Sequence, residues 1–255
     1  MGNFTYLKQD DNKSVASAAV LTSSTADSTY PLANLKNASL SKLFRTTSVS
    51  SQYVEIDAGS AVECNLFGLA NHNFTSAVTL QVKGGASPNP STFTQTIDYR
   101  KHLAAKLITG TQTFRYWRFT IDDPTNTDGY LEMALLPLGL ATTLGFNYEY
   151  GWRWLDEYVN LEHESEFGVP FVEELFNRVQ MTLMFEPLLN SESTTLRTLY
   201  QDLKRNMKTL FWMPDSATAD IFYGRLINHL DRTIGFRHRL SLILREDSKG
   251  RSIGA

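Results

Sequence analysis

Tyr116-Trp-Arg-Phe-Thr-Ile121, Asp122-Asp-Pro-Thr-Asn-Thr-Asp-Gly129 and Tyr130-Leu-Glu-Met-Ala-Leu135 decide the fold class of this chain. In the first run Trp117, Phe119 and Ile121 share one parity, and Tyr116, Arg118 and Thr120 share the other. Successive strand side chains point to opposite faces, so this is an apolar face backed by a polar one. The third run repeats the alternation, with Leu131, Met133 and Leu135 expected inside and Tyr130 and Glu132 outside. The Asp, Pro, Asn and Gly residues between them tolerate turn geometry, which predicts a hairpin turn. Two strands with one buried face need a second sheet to cover it. Residues 30–115 are the segment expected to supply that sheet.

Gln52-Tyr-Val-Glu-Ile-Asp57 alternates with Val54 and Ile56 inward and is expected to end at Ala58-Gly59. Cys64-Asn-Leu-Phe-Gly-Leu69 is apolar on both parities, as a central strand should be. Val78–Lys83 alternates and stops at Gly84-Gly85, and Ala86–Ser91 reads as a loop because neither proline can donate to a ladder. Residues 1–29 are rich in Ser, Thr, Ala and Asp and are expected to form a peripheral, partly mobile strand and loop.

After Pro137-Leu-Gly139 the composition changes. Leu155–Glu174 carries seven acidic residues and neither Lys nor Arg. Leu175–Phe185 reads as a long strand with Leu175, Val179, Met181, Leu183 and Phe185 on one face. A helix over 191–207 follows, capped by Ser191 with Glu192 at its positive end, burying Leu196, Leu199, Tyr200, Leu203 and Met207. Leu210–Met213, Ala219–Leu230 and Ile234–Arg245 are three further strands. The expected organisation is a peripheral segment 1–29, a sandwich over 30–139, a second β domain over 140–246 and a frayed tail over 247–255.

Composition narrows the function. The chain has 255 residues and a net charge of −3, which argues against a dominant nucleic-acid-binding role. Its single cysteine, Cys64, rules out an intramolecular disulfide framework. The N-terminus lacks a basic stretch followed by an apolar core, and no apolar run reaches the roughly 20 residues of a membrane helix.

Leu43-Phe-Arg-Thr-Thr47, Tyr53-Val-Glu-Ile-Asp-Ala-Gly59 and Tyr116-Trp-Arg-Phe119 resemble the discoidin, or coagulation-factor C-type, galactose-binding-like β-sandwich. Leu210-Phe-Trp-Met-Pro214 and Phe222-Tyr-Gly-Arg-Leu226 resemble the tail-tube-like domain of bacteriophage distal tail and tail-tip proteins. The pair of resemblances implies a mainly β protein: an N-terminal antiparallel jelly-roll sandwich plus a C-terminal tail-tube-like sandwich or barrel with one packed α-helix. It further implies a structural component of a phage tail tip or baseplate in the virion, made in the host cytoplasm. Copies would form a ring, a hexamer by family resemblance, with tail-tube, hub and tail-tip proteins as partners. The alternative is a carbohydrate-binding protein whose sandwich loops hold a host surface glycan.

No constellation for catalysis stands out. There is no phosphate-binding glycine loop, nucleophile elbow or HExxH pair. Asp122, Asp123, Asn126 and Asp128 offer oxygens to calcium, but their spacing is not that of the helical calcium loop, and a turn is expected instead. Glu162, Glu164 and Glu166 share one strand face, with His163 opposite, and suit solvent or a basic partner better than a closed metal site. The chain is therefore expected not to be an enzyme and to need no metal or cofactor. The candidate subunit interface comprises Trp152, Trp154, Glu162, Glu164, Glu166, Arg237 and Arg239. For Trp152 and Trp154, packing within the subunit is the competing reading.

Overall fold

The computed structural model describes residues 3–149, 153–164, 170–204, 207–216, 220–227 and 238–247. In chain order the strands are β1 (Thr5–Lys8), β2 (Val20–Ser23), β3 (Phe44–Arg45), β4 (Gln52–Ala70), β5 (Thr79–Gly85), β6 (Phe93–Thr96) and β7 (Leu103–Asp122). They continue as β8 (Glu132–Met133), β9 (Leu138–Gly139), β10 (Thr142–Thr143), β11 (Arg153–Glu164) and β12 (Pro170–Leu188). Helix α1 (Asn190–Asp202) precedes β13 (Leu210–Met213), β14 (Phe222–Leu226) and β15 (His238–Glu246). Among the described residues the chain is mainly β, antiparallel in its pairings, with one α-helix. It divides into unit 1, Met1–Thr143 with Phe211–Phe222, and unit 2, Leu144–Leu210 with Tyr223–Ala255. The chain thus changes unit just after the expected boundary at 139–140, and Phe211–Phe222, read as part of the second domain, belongs to the first unit.

Unit 1 is a β-sandwich. Its large sheet runs β2-β4-β7-β5-β6, with β9 also pairing with β4. Val54, Ile56, Leu80, Val82, Trp117, Phe119 and Ile121 bury one face, as their alternation requires. Phe44 of β3 and Met133 of β8 enter the same core. Residues 130–135 do not return as a hairpin partner of β7: Glu132–Met133 pairs with β3, and Leu135 bridges Ala70 at the end of β4. The turn at 122–129 carries the chain to the opposite layer because Leu131, Met133, Ala134, Leu135 and Leu136 are all buried there. Nor does β4 end at Gly59. Residues 58–61 form a bulge opposite Arg115 alone, with Gly59 at φ +78, and pairing resumes at Val62. The N-terminal stretch is not loose, since Phe4 and Leu7 have no exposed surface.

Unit 2 contains an antiparallel sheet in the order β14-β15-β12-β11. Val179, Met181, Leu183 and Phe185 on β12 and Leu240, Leu242 and Leu244 on β15 are buried on one side. Leu196, Leu199 and Leu203 of the helix segment are buried as well, and α1 packs on β12 and β15. The helix ends at Asp202 rather than 207, because Lys204 takes a left-handed φ of +48 and turns the chain. Met207 is consequently 74% exposed instead of joining the buried stripe. The start also differs: Leu189 is the N-cap, and Glu192 accepts its backbone N–H at 2.7 Å, so Ser191 lies inside the helix.

Candidate functional site

The two-residue strands β3 and β8 build a site because each places one side chain in the core and the next outside it. Phe44 and Met133 are buried, so Arg45 and Glu132, register partners, emerge together. Arg45 donates through Nη2 at 2.6 Å and Nε at 3.2 Å to Glu132 Oε2. Its guanidinium carbon lies 3.9 Å from the centre of the Tyr30 ring and 3.9 Å from that of Tyr130. A flat cation is thus held between two aromatic faces, an attraction worth about 0.5–2 kcal/mol per ring. The Glu132 hydrogen bond raises the Arg45 pKa, so the stack keeps its charge.

Asn73 anchors the neighbouring loops. Its side-chain oxygen accepts the Glu132 N–H at 2.8 Å, and Nδ2 donates to Asp128 Oδ2 at 2.8 Å and to the Tyr130 carbonyl at 3.1 Å. Asp128 is exposed, while Tyr30, Asn73 and Tyr130 are partly exposed. The group therefore presents partly exposed tyrosine rings, an amide and carboxylates together. Fixed polar groups beside rings are suited to orienting a bound molecule.

The candidate calcium loop resolves differently. Asp123 is fully buried and accepts Thr75 N–H at 2.7 Å and Thr75 Oγ1–H at 2.6 Å. Asn126 Nδ2 donates to the same carboxylate at 3.5 Å. Asp122 accepts the Ser51 N–H at 2.8 Å. These carboxylates face donors, which stabilise the turn and compete with a cation for the same lone pairs. Among the described residues no three His, Cys, Asp or Glu groups converge as a metal site.

His72 lies beside Asn73 and stacks on Phe74 at 4.3 Å and 11°. Its Nδ1 accepts the Phe74 N–H at 3.3 Å. Burial lowers its pKa to about 4. The unfolded chain takes up the proton near pH 6.5 and the folded chain only near 4, so stability is fully present above 6.5 and falls across that window. The expected loss is about 3 kcal/mol between pH 7 and pH 4. Urea unfolding of wild type and His72→Phe across that range checks this, the variant lacking the contribution.

Of the interface candidates, Trp154 is 41% exposed and its indole N–H donates to Asp156 at 3.0 Å. Tyr148, six residues earlier in the chain, is buried. Glu162 and Glu164 are exposed on β11, and the backbone of Arg239 lies on β15. Trp152, Glu166 and Arg237 lie outside the described residues. The structure does not gather the described candidates: Trp154, Glu162 and Glu164 lie along β11, whereas Arg239 lies on β15. Sequence reading named Arg45 as part of a resemblance and Glu132 as outward, but missed their convergence with Tyr30 and Asn73. The available signal was the buried residue beside each charge, Phe44 and Met133.

No protein-family model matches the chain, and no curated protein matches it by sequence. Solved structures do. Chitosan-binding module 1 of a Paenibacillus chitosanase/glucanase is 17% identical, with a TM-score of 0.41, covering 50% of this chain and 97% of its own. A Streptococcus pneumoniae fucose-binding module is 16% identical, with a TM-score of 0.41, covering 51% of this chain and 97% of its own. A family 32 carbohydrate-binding module of Clostridium perfringens, solved with galactose, is 9% identical, with a TM-score of 0.41, covering 54% of this chain and 99% of its own. The chain is thus similar, over about half its length, to carbohydrate-binding modules.

Proposed function

We propose that unit 1 is a non-catalytic carbohydrate-binding module, with its sugar received at the rim formed by Tyr30, Arg45, Asn73, Asp128, Tyr130 and Glu132. The observation that carries this reading is the Arg45 guanidinium held between two tyrosine rings, 3.9 Å from each. A pyranose offers apolar C–H faces and a ring of hydroxyls. Tyrosine rings pack on the former, and an amide with carboxylates hydrogen-bonds the latter. Because Arg45 is already paired with Glu132, the rim favours a neutral sugar over an anionic one. The solved modules named above provide the first sugars to screen: fucose, galactose and chitosan.

The test is a glycan array followed by titration of each retained sugar. Tyr130→Ala is expected to weaken binding about ten-fold or more, near 1.4 kcal/mol, with little change in melting temperature. Equal binding by the variant would remove the rim from the site, and an array without any retained glycan would remove the function.

A second reading is a structural subunit of a phage tail tip or baseplate, in which copies of this chain join tail-tube and hub proteins in the virion. It is favoured by β11, the end strand of its sheet among the described residues, where Trp154 and Leu155 stand 41% and 52% exposed. An open edge with exposed apolar side chains is a template for association. Solution mass of the full chain against concentration separates a ring-forming protein from a monomeric sugar binder.

A further inference from the structure

The β11–β12 ribbon has an acidic tip and a basic base, and they cannot meet within one subunit. Strand β12 pairs with β15 only from Gln180 to Leu188, whereas its pairing with β11 continues to Glu164↔Pro170. Beyond Gln180 the ribbon is two-stranded among the described residues. Two strands alone are marginally stable in water, so such an arm gains from a cover. The tip carries Glu162 and Glu164 on β11 and Glu173 and Glu174 on β12, with no Lys or Arg.

The sheet at the other end is arginine-rich. Leu155, Gln180, Arg245 and Arg225 occupy one register row across the four strands and therefore one face. Arg153, Glu157 and Arg178 lie on the same face in the adjoining rows. Arg178 pairs with Glu157 at 2.7 Å and Arg225 with Asp247 at 2.6 Å. Four arginines thus face two acids, and Arg245 Nε is buried without a hydrogen-bond partner. Arg153, Leu155 and Arg225 are exposed, so the face is open. Of the β11 acids at the tip, Glu162 lies five residues along the strand from the Glu157–Arg178 row, about 17 Å at 3.4 Å per residue, and Glu164 lies farther still, both well beyond ion-pair reach.

The geometry points to a head-to-tail contact in which the acidic ribbon tip of one copy docks on the arginine face of a second copy. It rests on the assembly reading above. Unlike charges at separate places make a heterologous contact, which repeats from copy to copy and closes into a ring where the rotation allows. Edge-to-edge pairing of two β11 strands is disfavoured, because each carries Asp156, Glu157, Glu162 and Glu164 with Arg153 as its one Lys or Arg, so that two acid-rich edges would be brought together. The exposed Leu155 on the face and Val172, 59% exposed on the ribbon, supply apolar area that exposed ion pairs lack.

The test uses the full chain in sedimentation equilibrium at about 20 mM and about 500 mM NaCl, where screening differs strongly. A tip variant, Glu162→Lys with Glu164→Lys, and a face variant, Arg153→Glu with Arg225→Glu, are measured alone and mixed. Wild type is expected to self-associate more weakly at high salt by about ten-fold or more, and each variant alone to lose about ten-fold or more. The equimolar mixture is expected to recover a one-to-one complex, since each reversed tip then meets a reversed face. Unchanged melting temperatures exclude misfolding as the cause of either loss. Assembly untouched by both variants, or no recovery on mixing, overturns this contact while leaving the assembly reading in place. A wild type that stays monomeric at both salts overturns the assembly reading and this contact together.

Discussion

Trp117→Ala is expected to lower the stability of unit 1 by about 3–5 kcal/mol, the range for removing a fully enclosed large aromatic side chain. Trp117 has no exposed surface. Its ring sits 5.2 Å from Phe67, 5.6 Å from Phe114 and 6.1 Å from Phe93, the last two edge-on. Edge-to-face pairs add about 0.5–1.5 kcal/mol each beyond the burial itself. The indole N–H donates to the Phe114 carbonyl at 3.1 Å, and truncation leaves that acceptor short of a partner. Strand β5 is shaped to this ring as well: a Cβ on Gly84 would lie 2.6 Å from Phe114 and 3.1 Å from Trp117. Trp117→Phe keeps a ring and is expected to cost about half as much. Urea unfolding followed by circular dichroism checks the order of the two variants, and an alanine variant within about 1 kcal/mol of wild type would refute the enclosed packing.

Glu55→Ala is expected to cost about 2–4 kcal/mol and to loosen the loop 86–91, because one carboxylate oxygen holds two elements. Glu55 Oε2 accepts Arg118 Nε–H at 2.7 Å and the Asn89 N–H at 2.9 Å. Arg118 Nη1 donates to Asn89 Oδ1 at 2.7 Å, and its guanidinium lies 4.1 Å from the Tyr53 ring centre. Glu55 is buried, although it lies on the polar face of β4, since the loop folds back over it. Removing it strands a partly buried arginine and an amide, and it releases Asn89 from a left-handed φ of +56. Limited proteolysis should cut the variant within 86–91 faster than wild type. The neighbouring Asp57–Arg115 pair is the control, since Arg115 is nearly half exposed and solvent screens it. The Arg115 hydrogen bonds hold the Asp57 pKa down to about 2, so what that pair contributes is present above pH 4 and lost as pH falls towards 2. An equal cost at both positions would mean the loop tether adds nothing.

The candidate site was half legible from the chain alone. Of the residues that form the rim, Tyr130 and Glu132 read as outward positions because each neighbours a residue of the buried parity, whereas Arg45 stood out only within the Leu43–Thr47 resemblance. Their assembly with Tyr30 and Asn73 was not legible, because it joins positions from Tyr30 to Glu132 through the β3–β8 register and the Asn73 hydrogen bonds.

Alternation by itself determined which apolar side chains of residues 52–57, 79–83 and 116–121 enter the core, because side-chain direction in a strand follows from local backbone geometry, whereas the burial of Glu55 on the polar face came from the loop folded over it. It also determined that β12 and β15 bury their aliphatic parity in unit 2. Tertiary structure alone decided which strands meet. The run at 130–135 pairs with β3 and not with β7, since four further buried side chains draw it to the opposite layer. Gly59 became a bulge inside one long strand rather than its end, because the partner strand continues past it and the four extra residues loop out. The helix stops short of Met207 where Lys204 takes a left-handed φ of +48 and the Lys208 N–H returns to the Leu203 carbonyl at 3.1 Å, a backbone turn that helical periodicity does not record. Local geometry fixes the direction of a side chain, whereas pairing partners are chosen by contacts distant in the chain, which no short stretch of residues encodes.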